Sequence, residues 1–121
     1  MSRNLCEFKV YMKAAEGERE VAQEIVQVDV RDGETTLRDI LGSSKSVKNA
    51  IVSRIDVGRE RLELVAVPML AEIQAFLSEY ERCLVEQRYD SDLELRWEDV
   101  KAKGDEMVRT LWARYKGVKA Q

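Results

Sequence analysis

The stretch EIVQVDVRDGETTLRDILG (residues 24–42) decides how the first half of this chain folds. Val26, Val28 and Val30 alternate with Gln27, Asp29 and Arg31, the period of a strand with one face buried. Asp32-Gly33 follows, and Asp-Gly between two β-rich runs is the strongest short hairpin signal, because the favoured two-residue turn needs positive φ at both central positions. The spacing therefore predicts strands over Val21–Arg31 and Thr35–Leu41 joined by a tight turn.

The same period extends outward from this hairpin. Upstream, CEFKVYM (residues 6–12) alternates within a predicted strand Leu5–Lys13. Cys6, Phe8, Val10 and Met12 fall on one side, and Glu7, Lys9, Tyr11 and Lys13 on the other. A turn at Ala14–Glu18, with Gly17 in it, leads to the hairpin. Downstream, GSSK (residues 42–45) turns the chain into a short strand Ser46–Lys48. Ala50–Val57 follows, with Ile51, Ser53, Ile55 and Val57 sharing a side, and after the turn VGRE the last strand, Arg61–Val67, points Leu62 and Leu64 inward. Five or six short strands at this spacing predict a small antiparallel β-barrel, whose closure removes exposed edges.

At Pro68, the only proline, the period changes from two to that of a helix. Leu70, Ile73, Leu77, Tyr80 and Leu84 step by three and four, widened by Phe76 and Cys83. YDSD (residues 89–92) interrupts the pattern, and Ser91 with Glu94 has the spacing of a capping box. Leu93, Trp97, Val100, Gly104, Met107, Leu111 and Tyr115 then form a second stripe, beside Val108 and Trp112. The expected class is α+β: a β-barrel domain over 1–67 and an antiparallel helical hairpin over 68–121. Two helices cannot enclose a core alone, so their stripes are expected to bury against each other and against the barrel or a second subunit. Near-heptad spacing in both makes the hairpin a candidate surface for a protein partner.

Composition narrows the function classes. The 121 residues include no histidine, which removes most catalytic triads, most zinc sites and the commonest general base. There is no glycine-rich phosphate loop and no G-x-S-x-G elbow, so an enzyme is not expected. Asp39 and Asp56, amid apolar residues, read as structural hydrogen-bonding groups. The net charge is −3, and neither half of the chain is basic. No apolar run approaches the roughly 18 residues of a membrane span, and MSRNLCEF lacks the apolar core of a signal peptide, so a cytoplasmic protein with no membrane partner is expected. Cys6 and Cys83 are then expected as reduced thiols.

The segment from Cys6 to Val65 resembles the CooT family, small proteins first described as predicted RNA-binding proteins and later linked to nickel. CEFKVYM resembles the family's cysteine-led opening strand, EIVQVDVRDGETTLRDILG its central hairpin, SSKSVKNAIVSRIDV its lysine-bearing turn and following strand, and RERLELV its closing strand. The resemblance covers about half the chain and rests on the ordered combination. It implies a small β-barrel assembling as a homodimer, with nickel bound across the dimer by a cysteine whose matching position is Cys6. This chain departs in two ways. Five residues precede Cys6, so its nitrogen lies in a peptide bond, and the helical hairpin is additional to the minimal family domain.

Two readings of Cys6 stand side by side. Thiolate is a soft ligand suited to Ni(II), and a two-fold axis would bring a pair together. Equally, Cys6 shares a face with Phe8, Val10 and Met12, and free cysteine packs as a small hydrophobe. Cys83, on the apolar stripe of the first helix, reads as packing. The family's older label offers an alternative function, an RNA-binding β-barrel module, with Lys9, Tyr11 and Lys13 on the outward face of the first strand and Lys45 and Lys48 as candidate contacts. Charge disfavours RNA, since phosphate neutralisation supplies most non-specific affinity.

Overall fold

A computed structural model describes residues 7–118 of the chain. It divides into two compact units between Ala71 and Glu72. The first is a six-stranded sheet: β1 (Phe8–Ala14), β2 (Gly17–Arg31), β3 (Glu34–Asp39), β4 (Ser44–Lys48), β5 (Ala50–Asp56) and β6 (Arg61–Ala66). Two helices follow, α1 (Leu70–Glu86) and α2 (Asp92–Tyr115). The α+β class and the order of strands then helical hairpin are those read from the periodicity.

The sheet order is β4-β3-β2-β1-β6-β5. The expected antiparallel barrel is corrected in two respects: the sheet is mixed, with β6 running parallel to β1, and it is a half-barrel left open rather than closed. One residue explains the mixture. Strands β1 to β4 are joined by hairpin turns and alternate in direction, but β4 and β5, the two opposite edges of the sheet, are joined by Asn49 alone. That junction is a corner, so one reversal of direction is skipped. The β5–β6 hairpin then delivers β6 beside β1 in the same sense. Alternation of side chains along a strand is blind to the direction of its neighbour, which is why the pattern could not reveal this.

A one-residue link between opposite edges requires the sheet to curl until they come close at that corner, without pairing along their length. The Asn49 amide donates to the Gly33 carbonyl at 2.7 Å, and its own carbonyl accepts from Val67 at 2.8 Å. Asn49 has φ 52°, a left-handed conformation that asparagine tolerates better than most residues. Its side-chain Oδ1 accepts the amide of Ala71 at 3.1 Å, capping the first turn of α1. Thr35 on β3, fully buried, donates from Oγ1 to the Ala50 carbonyl on β5 at 2.8 Å.

The turn at Asp32-Gly33 forms as expected, with φ 51° and 78°. Gly33 serves a second purpose: a Cβ there would lie 2.7 Å from Cα and Cβ of Ala71, so the helix start approaches the turn closely. Asp39 and Asp56 hold turns, Asp39 Oδ1 accepting the amides of Leu41 and Ser43 and Asp56 Oδ1 that of Arg59.

The core lies on the concave face. Val10, Met12, Val21, Ile25, Leu37, Ala50, Leu62 and Leu64 are buried, with Phe8, Val28, Val47 and Val52 packed against them. A bulge also shifts parity. In β5 the irregularity between Val52 and Arg54 sets Ile51 opposite Val65 but Ile55 opposite the buried Leu62, so the side expected to be common to Ile51, Ser53, Ile55 and Val57 is broken at Ser53.

In the helical unit α1 and α2 run antiparallel, with the Phe76 and Trp97 rings 5.3 Å apart at 51°. The loop between them is held by charge: Arg82 bonds Glu86 at 3.0 Å and Asp90 at 2.6 Å, and also pairs with Glu79. The expected Ser91 capping box does not form, since Ser91 has helical φ and makes no side-chain cap. Asp90 Oδ1 takes the Asp92 amide instead at 2.9 Å, and Glu94 accepts the Tyr89 hydroxyl. The predicted stripes are less buried than expected: Leu77, Tyr80, Leu84, Trp97, Leu111, Trp112 and Tyr115 are all exposed. No described helix is long and apolar enough to cross a membrane.

Candidate functional site

Cys6, the expected metal ligand, lies outside the described residues. The strand that follows it is well defined. The Glu7 amide donates to Oε2 of Glu60 at 3.0 Å, and the Lys9 amide to the Glu60 carbonyl at 2.9 Å. The beginning of β1 is thus tied to the β5–β6 turn, where Glu60 takes φ 51°. Parallel register continues the attachment, Lys9 opposite Arg61, Tyr11 opposite Glu63 and Lys13 opposite Val65.

On the convex face these registers assemble a chain of charges. The Arg61 guanidinium lies over the Tyr11 ring, 3.8 Å from its centroid, in cation–π geometry. Its nitrogens bond Glu18 on β2 at 2.5 Å and Glu63 at 2.9 Å. Lys13 closes the far side of Glu63 at 2.9 Å. Three strands are thereby laced by Glu18, Arg61, Glu63 and Lys13. Hydrogen bonds from Arg61 first, then Lys13, pull the Glu63 carboxyl down to about 2, and the same carboxylates hold Arg61 above its ordinary value. Glu63 is buried beneath these partners, which satisfy the charge that burial alone would disfavour.

Beside this lattice is a cavity of about 350 Å³ lined by Lys9, Tyr11, Arg59 and Arg61 and by two carboxylates, Glu7 and Glu60. Its charges of both signs do not form an anion funnel. One face of Tyr11 is already occupied by Arg61, and Lys13 is committed to Glu63, so neither is presented freely to a nucleic acid. Lys45 and Lys48 are elsewhere, on edge strand β4. Lys45 pairs with the buried Leu37, shares its concave side, and donates from Nζ to the Val21 carbonyl at 2.7 Å. The structure therefore gathers Lys9, Tyr11 and Lys13 on one face and leaves Lys45 and Lys48 apart from them.

Sequence reasoning missed Arg61, Glu63 and Glu18. The only local sign was the opposite charge of Arg61 and Glu63 two residues apart in a strand. Their value depends on β6 lying parallel beside β1.

A metal needs several converging donors. Among the described residues no three His, Cys, Asp or Glu side chains converge in that way, and Cys83 is a half-buried free thiol on α1. The described residues thus do not form a metal centre by themselves, and the metal reading rests on Cys6.

The family model for CO dehydrogenase accessory protein CooT matches residues 5–64. Among solved structures, a crystal structure assigned as CooT from Carboxydothermus hydrogenoformans is similar at 18% identity, covering 50% of this chain and 97% of that one, with a TM-score of 0.47. No curated protein matches the sequence.

Proposed function

Through residues 5–64 the chain belongs to the CooT family of CO dehydrogenase accessory proteins, and on that premise we propose that it is a non-enzymatic accessory protein acting in the maturation of a CO dehydrogenase. The observation that carries this reading is the extent of the family match, which begins at Leu5 and so takes in Cys6 and the whole of β1. In its finer form the proposal assigns Cys6 as a thiolate ligand for nickel, paired with Cys6 of a second copy at a homodimer interface, for delivery or sensing of the metal. A single thiolate is too few for a tight site, and an isologous interface doubles it. The fastening of Glu7 and Lys9 to Glu60 supports this form, because a ligand is useful only on a backbone held in place. The residues of the β-unit would hold and orient the thiolates, and binding would strengthen as pH rises, since the thiol must lose its proton.

The test is titration of Ni(II) into the reduced full chain. A thiolate-to-nickel absorption band is expected, absent in Cys6→Ala and retained in Cys83→Ala. No band in the parent, or an unchanged band in Cys6→Ala, overturns the metal reading while leaving the accessory role to be judged by co-purification with the dehydrogenase.

A further inference from the structure

Strand β1 is held along its β6 side to a point beyond the start of β6. In a parallel ladder alternate amides of one strand donate to the other. On β1 these are the amides of odd-numbered residues, since Lys9 pairs with Arg61 and donates to the Glu60 carbonyl at 2.9 Å. The next such amide toward the N-terminus is that of Glu7. No strand remains there to receive it. β6 starts at Arg61, and before it the chain turns, the Glu60 amide donating to the Val57 carbonyl at 3.1 Å. A side chain supplies the missing acceptor. Oε2 of Glu60 takes the Glu7 amide at 3.0 Å, which adds one rung to the ladder.

Glutamate is not the residue that the backbone of this turn favours. Glu60 has φ 51°, in the left-handed region that suits glycine or asparagine. Gly58, two residues earlier, does not use that region. Glycine at position 60 would relax the backbone, but it would give up the carboxylate and leave the Glu7 amide to water. A strained position occupied by a side chain with a definite bond points to a use for that bond. A carboxylate is also a stronger acceptor than the main-chain carbonyl it replaces.

The place of the rung gives it its use, because the Glu7 nitrogen is the atom through which Cys6 is joined to β1. We propose that Glu60 is a positioning residue for Cys6: its side chain carries the order of β1 to the peptide bond of that cysteine and fixes the backbone from which the thiol works. The inference rests on the reading of Cys6 as a ligand and adds to it a residue from the far end of the β-unit. Glu60 acts through the hydrogen bond it accepts and makes no bond to metal. The role needs only an oxygen acceptor of this reach on this turn, which glutamine provides and glycine does not.

Amide hydrogen exchange in the metal-free full chain tests the rung, with the parent compared to Glu60→Gln and Glu60→Gly. The Glu7 amide is expected to exchange about tenfold faster in Glu60→Gly and near the parent rate in Glu60→Gln. Lys9, which donates to a main-chain carbonyl, is expected to be unchanged in all three, and so reports that the turn itself is intact. Equal exchange of Glu7 in the parent and Glu60→Gly, or exchange as fast in Glu60→Gln as in Glu60→Gly, overturns the proposal. Titration of Ni(II) then asks whether the rung serves Cys6. The dissociation constant read from the thiolate-to-nickel band is expected to rise about tenfold in Glu60→Gly and to recover in Glu60→Gln. Unchanged affinity in Glu60→Gly, with the Glu7 amide released, overturns the role at Cys6. Binding as weak in Glu60→Gln as in Glu60→Gly, with the Glu7 amide still protected in Glu60→Gln, makes the carboxylate itself a ligand and also overturns it. A parent without the band overturns the nickel reading, a result distinct from failure of the rung, which the metal-free exchange reads by itself.

Discussion

Thr35 Oγ1 donates a 2.8 Å hydrogen bond to the carbonyl of Ala50, joining β3 to the strand at the opposite edge of the sheet. The contact exists because Asn49 alone spans the gap between β4 and β5 and draws the edges together. Both residues are fully buried, so the bond has no competing water. It is the tightest expression of the curl that turns a flat sheet into a half-barrel.

Replacing Thr35 by Val keeps the shape and removes the donor, leaving the Ala50 carbonyl without this partner. A loss of about 1–3 kcal/mol is expected, read from the denaturant midpoint at unchanged slope. Thr35→Ser retains the hydroxyl and is expected to lose less. A larger loss in Thr35→Ser than in Thr35→Val would mean that the methyl group, and not the bond, matters.

Asn49 combines a left-handed backbone with the cap on Ala71. Asn49→Gly keeps the conformation and loses the cap, and a destabilisation of about 1 kcal/mol is expected. Asn49→Ala loses both and is expected to cost roughly 1–2 kcal/mol more, the penalty of a Cβ in that region. Thermal or chemical unfolding of the pair separates the two contributions.

Gly33 is constrained by φ 78° and by the approach of Ala71. Gly33→Ala is expected to destabilise by more than about 1 kcal/mol. Part of that cost is steric and is shared with Ala71, so a double-mutant cycle with Ala71→Gly is expected to show a favourable coupling above about 0.5 kcal/mol. Strict additivity would show that only the backbone conformation resists the substitution.

The Glu63 carboxyl sits at about 2, against an ordinary value of 4.5, because it accepts hydrogen bonds from Arg61 and Lys13. In the unfolded chain it takes up its proton near the ordinary value. Its contribution is therefore fully present above that value and disappears as pH falls toward about 2. Stability measured against pH across this acid range is expected to fall more steeply in the parent than in Glu63→Gln, whose curve lacks this proton uptake. A carboxyl shift of Glu63 that titrates at the ordinary value, followed by NMR, would contradict the lattice of Arg61 and Lys13.

The boundaries of most elements, the tight turn at Asp32-Gly33 and the change of architecture at Pro68 were legible in the sequence. They arise from local causes: side-chain period, φ preference and proline geometry act within a few residues. Leu62 and Leu64 are buried as their alternation required, and Asp39 and Asp56 make the hydrogen bonds expected of them. The candidate site was less legible. The pattern put Lys9, Tyr11 and Lys13 together because they share one strand, but could not say that Lys45 would turn inward to Val21. Nor could it find Arg61 and Glu63, which lie some fifty residues along the chain from Tyr11 and Lys13 and reach them only through the parallel pairing of β6 with β1. Cysteine at position 6 was a property of the sequence and of its family, and the described residues add the anchoring of the strand behind it. The sequence by itself determined which segments become strands or helices. Only the tertiary structure decided strand order, the mixed direction of the sheet and the convergence of charges on its convex face, because each depends on which distant segments meet when a single residue, Asn49, carries the chain from one edge of the sheet to the other.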